Sequence, residues 1–249
     1  MRLAPFLICL AGPAMAAPVA DIVILGEVHD NAAAHQGQAD VLADLQPSAV
    51  VFEMLTAEHA AMADADRALL PQAWEDSGWS DFALYSPIFE ALGDARIIGA
   101  AAPRDTINAV YTDGPAGLFG PDAGRFALDD ALPQDQQAAR EALQFEAHCE
   151  AMPRDMMAGM VAVQRYRDAV FARAALEALE THGPPVAVIA GNGHARTDWG
   201  VPALIRLAAP EVTTHAIAFV EAQTDTPFDA VRVVPPADRD DPCATLTTN

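Results

Sequence analysis

The sequence has no lysine. All 14 of its basic residues are arginines, set against 35 acids, for a formal charge of -21. A surface this acidic repels phosphate backbones and anionic lipid headgroups, so charge argues against nucleic acid and anionic membrane as partners. Its plain consequence is solubility. Aromatic residues are also scarce, at 6% of a chain that is 52% hydrophobic. The core must therefore be built from Ala, Val, Leu and Ile, which suits helices packed on a sheet. Beyond the N-terminus no apolar run is long enough for a membrane-spanning helix.

Cysteine is limited to three residues. Cys9 falls in the N-terminal stretch "MRLAPFLICLAGPAMAAP", which has one Arg, a short apolar run and the small-residue site Ala14-Met15-Ala16. That pattern predicts a signal peptide over residues 1–16 and a periplasmic or secreted protein. Cys9 lacks the small residues expected before a lipidated cysteine. Cys149 and Cys243 remain after cleavage. In an oxidising compartment the pair favours a disulfide over a metal-thiolate site or two free thiols, because neither has a Cys-x-x-Cys neighbour. Closing so long a loop contributes about 4 to 5 kcal/mol in the chain-entropy model.

A chain of 249 residues accommodates one large α/β domain, here residues 17–249. Short β-branched runs predict strands at Asp21 to Leu25, Ala49 to Glu53, Arg96 to Ala101, Val186 to Ala190, Thr213 to Val220 and Ala230 to Val234. Helical spacing marks Ala32 to Leu45, Ala57 to Leu70, Asp81 to Leu92, Gln134 to His148, Asp155 to Leu179 and Pro202 to Ala208. Their alternation predicts a largely parallel central sheet flanked by helices. Residues 112–180 contain no convincing strand and read as a helical insertion, entered through "TDGPAGLFGPDAG". Residues 235–249 form a C-terminal tail.

Two strands end alike. "VILGEVH" (Val23 to His29) and "VIAGNGH" (Val188 to His194) share Val, Ile, Gly and His in the same order. Ligands of open parallel sheets bind beyond the carboxyl ends of the strands, and Glu53, closing "AVVFE", supplies a third polar group at such an end. Were these strands neighbours, His29, Glu53 and His194 would converge. Two imidazoles and a carboxylate are a ligand set for a divalent metal such as zinc, with one position open for water. Glu27 and Asp30 flank His29 and could orient its ring or act as general base. Met156, Met157 and Met160, at helical spacing, read as packing.

The segments "LGEVHDNAAAHQGQADVL", "AVVFEML", "GWSDFALYSPIFEAL", "AAPR", "GMVAVQRYRDAVFARAAL" and "AGNGHARTDWGVP" resemble the ChaN-like haem-binding uptake proteins of the Tiki superfamily, in order and over nearly the whole mature chain. The resemblance implies export, an α/β fold with a helical part and a role in haem or iron uptake. It also implies distant kinship with Tiki-type metalloproteases, TraB-type proteins and erythromycin-esterase-like hydrolases. The shared superfamily positions are Glu27, His29, Glu53 and His194. The ChaN-like pattern adds His35, Arg104, Gln164 and Asp168, the last two on one helix face.

That family's haem is associated with tyrosine ligation in a dimer, and this chain has only Tyr85, Tyr111 and Tyr166. Tyr85 lies among apolar residues suited to a porphyrin face, and Tyr166 neighbours Gln164 and Asp168. A phenolate suits ferric iron. Two functions follow as expectations. One is an exported haem-binding protein, with haem as cofactor or cargo, a transport partner at the membrane and a homodimer. The other is a metal-dependent hydrolase in which His29, Glu53 and His194 hold the metal and Glu27 activates water. The residues leave open whether the protein is an enzyme.

Overall fold

The computed structural model describes residues 20–79, 81–241, 243 and 244. The expected signal peptide lies outside the described residues. Strand β1 (Ile22–Glu27) leads to α1 (Ala32–Leu45), whose first turn is capped by the Asn31 side chain accepting from the Ala34 amide. Then follow β2 (Ala49–Phe52), α2 (Ala57–Ala65), α3 (Leu70–Ser77), α4 (Phe82–Glu90) and β3 (Arg96–Gly99). The helical stretch holds α5 (Arg104–Asp113), the one-turn α6 (Ala116–Phe119), α7 (Gln134–Ala147) and the 26-residue α8 (Met157–His182). The chain closes with β4 (Val186–Gly191), a single turn α9 (Asn192–Ala195), α10 (Val201–Ala208), β5 (Thr214–Val220) and β6 (Ala230–Val233).

The six strands form one sheet in the order β3-β2-β4-β1-β5-β6, and every pairing is parallel. Because alternate side chains of a strand face opposite ways, the sheet divides two apolar layers. Val23, Leu25, Val50, Phe52, Ile189 and Phe219 face α1 to α4. Ile22, Ile24, Val51, Val188 and Ala216 face α5, α8 and α10. Strands β1, β2 and β4 are buried along their whole length, as the β-branched runs predict.

The sequence pattern placed all six strands, but two helices differ. The expected helix from Ala57 to Leu70 breaks at Asp66 and continues through a 3-10 turn into α3, where Pro71 sits in the first turn. Helix α5 was not anticipated, because "RDTINAVYTD" has the β-branched content of a strand end. The second half of α8 lays Ala169, Phe171, Ala172, Ala175 and Ala178 on the sheet, so it is the crossover helix between β3 and β4. The disulfide joins Cys149, after α7, to Cys243 in the tail.

This topology positions the site. The chain leaves β1 toward β2 and β3, then returns through β4 and leaves toward β5 and β6. The two Gly-x-x-His strands, β1 and β4, are the central pair, where the winding reverses and a crevice opens at the carboxyl ends.

Candidate functional site

The echo between the two motifs is not matched by their pairing. Sequence alignment puts Gly26 opposite Gly191, whereas the sheet pairs Gly26 with Ala190 and Glu27 with Gly191. An offset of one residue sends equivalent side chains to opposite faces. Each glycine then makes room for the other motif. A Cβ on Gly191 would lie 2.8 Å from Nε2 of His29. A Cβ on Gly26 would lie 2.5 Å from the Asn192 side chain and 2.8 Å from Cβ of Ala195. Both positions demand a residue without Cβ for close approach. The two motifs cross at the top of the sheet and deliver their histidines from opposite layers.

On the first layer, Glu27 is buried and its Oε1 accepts two hydrogen bonds, with a third polar group nearby. His29 Nδ1 lies 2.8 Å from its Oε1, the Tyr85 hydroxyl donates to the same oxygen at 2.5 Å, and His35 Nε2 stands 3.6 Å away. Burial by itself raises the Glu27 carboxyl, but the hydrogen bond from His29 and the close approach of His35 outweigh it and hold the pKa at about 2. For His29, burial pulls the imidazole down. The bond to Glu27 and the charge of Glu53 prevail, so its pKa is raised. The His29 side chain is 41% exposed, and Trp79 lies edge-on to it with ring centroids 4.9 Å apart.

On the second layer, His194 is buried within the single turn α9. Its Nδ1 is 2.6 Å from Oδ1 of Asp168 and 3.0 Å from Nε2 of Gln164, both from α8, and Phe171 packs edge-on at 4.8 Å. Asp168 is itself fully buried. That burial raises its pKa, against the opposing pull of His194. The 3.6-residue helical period places Gln164, Arg167, Asp168 and Phe171 on one stripe of α8, aimed at the strand ends.

Glu53 joins the layers. Its Oε1 is 4.0 Å from Nε2 of His29 and 3.6 Å from Nε2 of His194, and it is ion-paired to Arg167. Its Oε2 accepts from the Gly191 amide at 2.7 Å. Burial raises the Glu53 carboxyl, yet the charges of His194, Arg167 and His29 bring its pKa below the ordinary value.

His29, Glu53 and His194 are thus brought together, but as a proton-and-charge network. The cation that meets Glu53 is the Arg167 guanidinium. No group of three His, Cys, Asp or Glu among the described residues is arranged to hold a metal ion. This removes the support for the zinc-ligand reading. Arg167 of "QRYRD" is not among the residues expected from the sequence, although its spacing of three from Gln164 and four from Phe171 puts it on the same stripe.

The other expected residues separate. His35 is fully buried, with Nδ1 on the Leu84 carbonyl at 2.9 Å, and supports the site from below. Tyr85 has no exposed surface. It packs against Trp74 and His35, and its pKa is raised by burial and by the Glu27 charge, so its hydroxyl stays protonated. Tyr166 is 6% exposed and faces away from Asp168, into the layer with Phe119. Arg104 is exposed at the start of α5 and, among the described residues, makes no ion pair with Asp168.

Outside the network, Asn31 donates to Glu221 and to the Pro235 carbonyl, and Arg239 ion-pairs with Asp30 and Glu221. The C-terminal tail is thereby strapped beside the loop that carries His29.

The sequence matches the family described as "Haem-binding uptake, Tiki superfamily, ChaN" over residues 14–205. Comparison with curated proteins finds no match. Among solved structures, the chain is similar to ChaN of Campylobacter jejuni, reported for cofacial haem binding, with a TM-score of 0.66 at 18% identity over 85% of this chain and 86% of that one. At that identity the likeness is one of fold. A succinoglycan biosynthesis protein (TM-score 0.41, 11% identity, 80% of this chain and 66% of that one) and the type III effector HopBA1 (0.40, 15%, 80% and 77%) are more remote.

Proposed function

The chain belongs to the ChaN haem-binding uptake family of the Tiki superfamily, and on that premise we propose that it binds haem at the open side of the β1–β4 crevice, with His29 meeting the iron. The observation that carries this reading is the state of His29. Of the site's imidazoles it is the exposed one, at 41% of its side chain, while its Nδ1 is engaged by Glu27. An imidazole oriented by a carboxylate through one nitrogen presents the other as a basic ligand, the arrangement common to metal-bound histidines. Haem supplies an iron that accepts such a nitrogen. Trp79 offers an aromatic wall beside it.

Tyrosine ligation fits this chain less well. The Tyr85 and Tyr166 rings are enclosed in the two core layers, and the Tyr111 hydroxyl donates to the Met156 carbonyl at 3.2 Å. Hemin titration of the mature protein decides between the ligands. A saturable Soret change is expected in the wild type, in Tyr85→Phe and in Tyr166→Phe, and its loss is expected in His29→Ala. An unchanged His29→Ala titration overturns the ligand; no Soret change in the wild type overturns haem binding.

The proposal places the protein outside the cytoplasm, as a carrier in haem uptake that delivers to a transport partner at the membrane. The N-terminal leader pattern supports this, as does the Cys149–Cys243 disulfide, a bond that persists in oxidising compartments. Fractionation of native cells tests the location; recovery with the cytoplasm overturns it. A homodimer around haem is the remaining element. Sedimentation with and without hemin should show the mass doubling, and an unchanged mass overturns it.

A further inference from the structure

Arg140, in the middle of α7, is 9% exposed, and its Nε has no hydrogen-bond partner. Among the described residues no carboxylate lies within ion-pair distance of it. The neighbouring arginines are all engaged. Arg165 donates to the carbonyls of Ala127 and Asp130, Arg196 pairs with Asp198 through two nitrogens at 3.0 and 2.7 Å, and Arg206 donates to the Thr197 carbonyl. A buried charge without a partner is costly and is ordinarily compensated. Here the guanidinium carbon lies 4.9 Å from the centroid of the Trp199 ring, and the charges of Asp168 and Asp198 act on it only from beyond ion-pair distance.

Arg140 and Trp199 line two adjoining clefts, of about 580 Å³ and about 190 Å³. The larger falls within the range of small-molecule sites. Its remaining wall is largely apolar, with Leu128, Leu132, Leu204 and Leu207, and Leu207 is 54% exposed, the most of any large hydrophobic residue among the described residues. The smaller cleft reaches Gly193 and Gln164, on the side of His194 away from Glu53. Neither cleft is lined by His29, Glu53 or Trp79.

We propose that this cleft is a second binding site, for a carboxylate carried on an apolar body, with the carboxylate on Arg140 and the body between Trp199 and the leucines. One uncommitted guanidinium calls for one negative charge. The planar guanidinium fork matches a carboxylate bidentately. Such a carboxylate comes from a free aliphatic acid or from a haem propionate. The inference does not depend on His29 as a haem ligand.

Calorimetric titration of the full chain with decanoate, and with decanol as the neutral counterpart, tests the site. Saturable decanoate binding is expected, at least about tenfold tighter than decanol. Arg140→Met should weaken decanoate about tenfold or more and leave decanol unchanged. It should also unfold at the same or a higher temperature, because an unpaired buried charge is removed. Leu204→Trp, which keeps the charge and fills the cleft, should weaken both ligands. Absence of decanoate binding in the wild type, or equal binding in Arg140→Met or in Leu204→Trp, overturns the proposal. A hemin arm identifies the source. Displacement of decanoate by hemin in the wild type, together with weaker hemin binding in Arg140→Met, assigns the carboxylate to a propionate; simultaneous binding assigns it to a free acid. His29→Ala retains decanoate binding in either case, so failure of the haem reading and failure of this one are distinguishable.

Discussion

Two strand ends with nearly the same sequence have become different objects. The β1 motif presents its histidine, exposed, with one ring nitrogen on Glu27. The β4 motif encloses its histidine between Asp168, Gln164 and Phe171. The cause is the one-residue offset between β1 and β4, which turns the motifs toward opposite layers. One layer ends at the open crevice, and the other is roofed by α8. Gly-x-x-His therefore encodes an exit from a strand, and the neighbouring elements decide whether the histidine exiting there works on a ligand or holds the frame.

The strongest way to break this comparison is to delete each histidine in turn. His194→Ala leaves the buried Asp168 carboxyl without its His194 hydrogen bond and opens a void beside Phe171, and a loss of about 3 kcal/mol is expected in chemical denaturation. His29→Ala removes a part-exposed ring and one hydrogen bond of Glu27, which keeps that of Tyr85, so its cost should be about 1 kcal/mol. The Soret change should be lost in His29→Ala. Equal destabilisation by the two variants would erase the distinction between a presenting and a framing motif.

Acid titration sharpens it next, because the partner carboxylates are shifted in opposite directions. Glu27 is depressed to about 2 from 4.5, so its contribution to stability is present above about pH 4.5 and is lost as pH falls from there toward 2. The full span corresponds to about 3 kcal/mol. Asp168 is raised above 3.8, so the folded protein binds its proton more tightly than the unfolded chain, and this group alone makes the fold more stable as pH falls through its folded pKa. Carbon-13 carboxyl spectra should show Asp168 protonating first. Glu27→Gln should flatten the acid limb of the stability curve between pH 4.5 and 2; an acid limb of unchanged slope would contradict the assignment.

The strands and the histidine exits were legible in the sequence because both depend on local pattern: β-branched runs for buried strands, and small residues where the backbone turns out of them. The partners were not legible, because they are distant. The hydrogen bond that fixes Tyr85 spans 58 residues, and the Arg167–Glu53 pair spans 114. In "WSDFALYSPIF" an apolar surround suits a porphyrin face and a core equally, and only the position of Glu27 settles that the hydroxyl points inward. Asp168 was legible as a member of a helix stripe, but the same stripe also carried Arg167, whose acid lies on another element. Arg104 shows the converse, since a strand-end arginine fits the pattern of a cleft residue while α5 carries it into solvent.

The smallest effect tests the offset itself. At Gly26 an added Cβ meets Ala195 and, at 3.2 Å, the Asn192 backbone, neither of which has room to give. Gly26→Ala should cost about 1 to 3 kcal/mol, as overpacking does, and no second substitution at His29 should recover it. At Gly191 the added Cβ meets the ring of His29, which is part exposed and can swing outward at the expense of its bond to Glu27. Gly191→Ala should therefore cost about 1 kcal/mol, and most of that should vanish in the His29→Ala background. The expected coupling is about 0.5 to 1 kcal/mol in a double-mutant cycle. Additive free energies would mean that Gly191 is required by its own backbone and not by the histidine above it, and the reciprocal clearance between the motifs would be reduced to the Gly26 side.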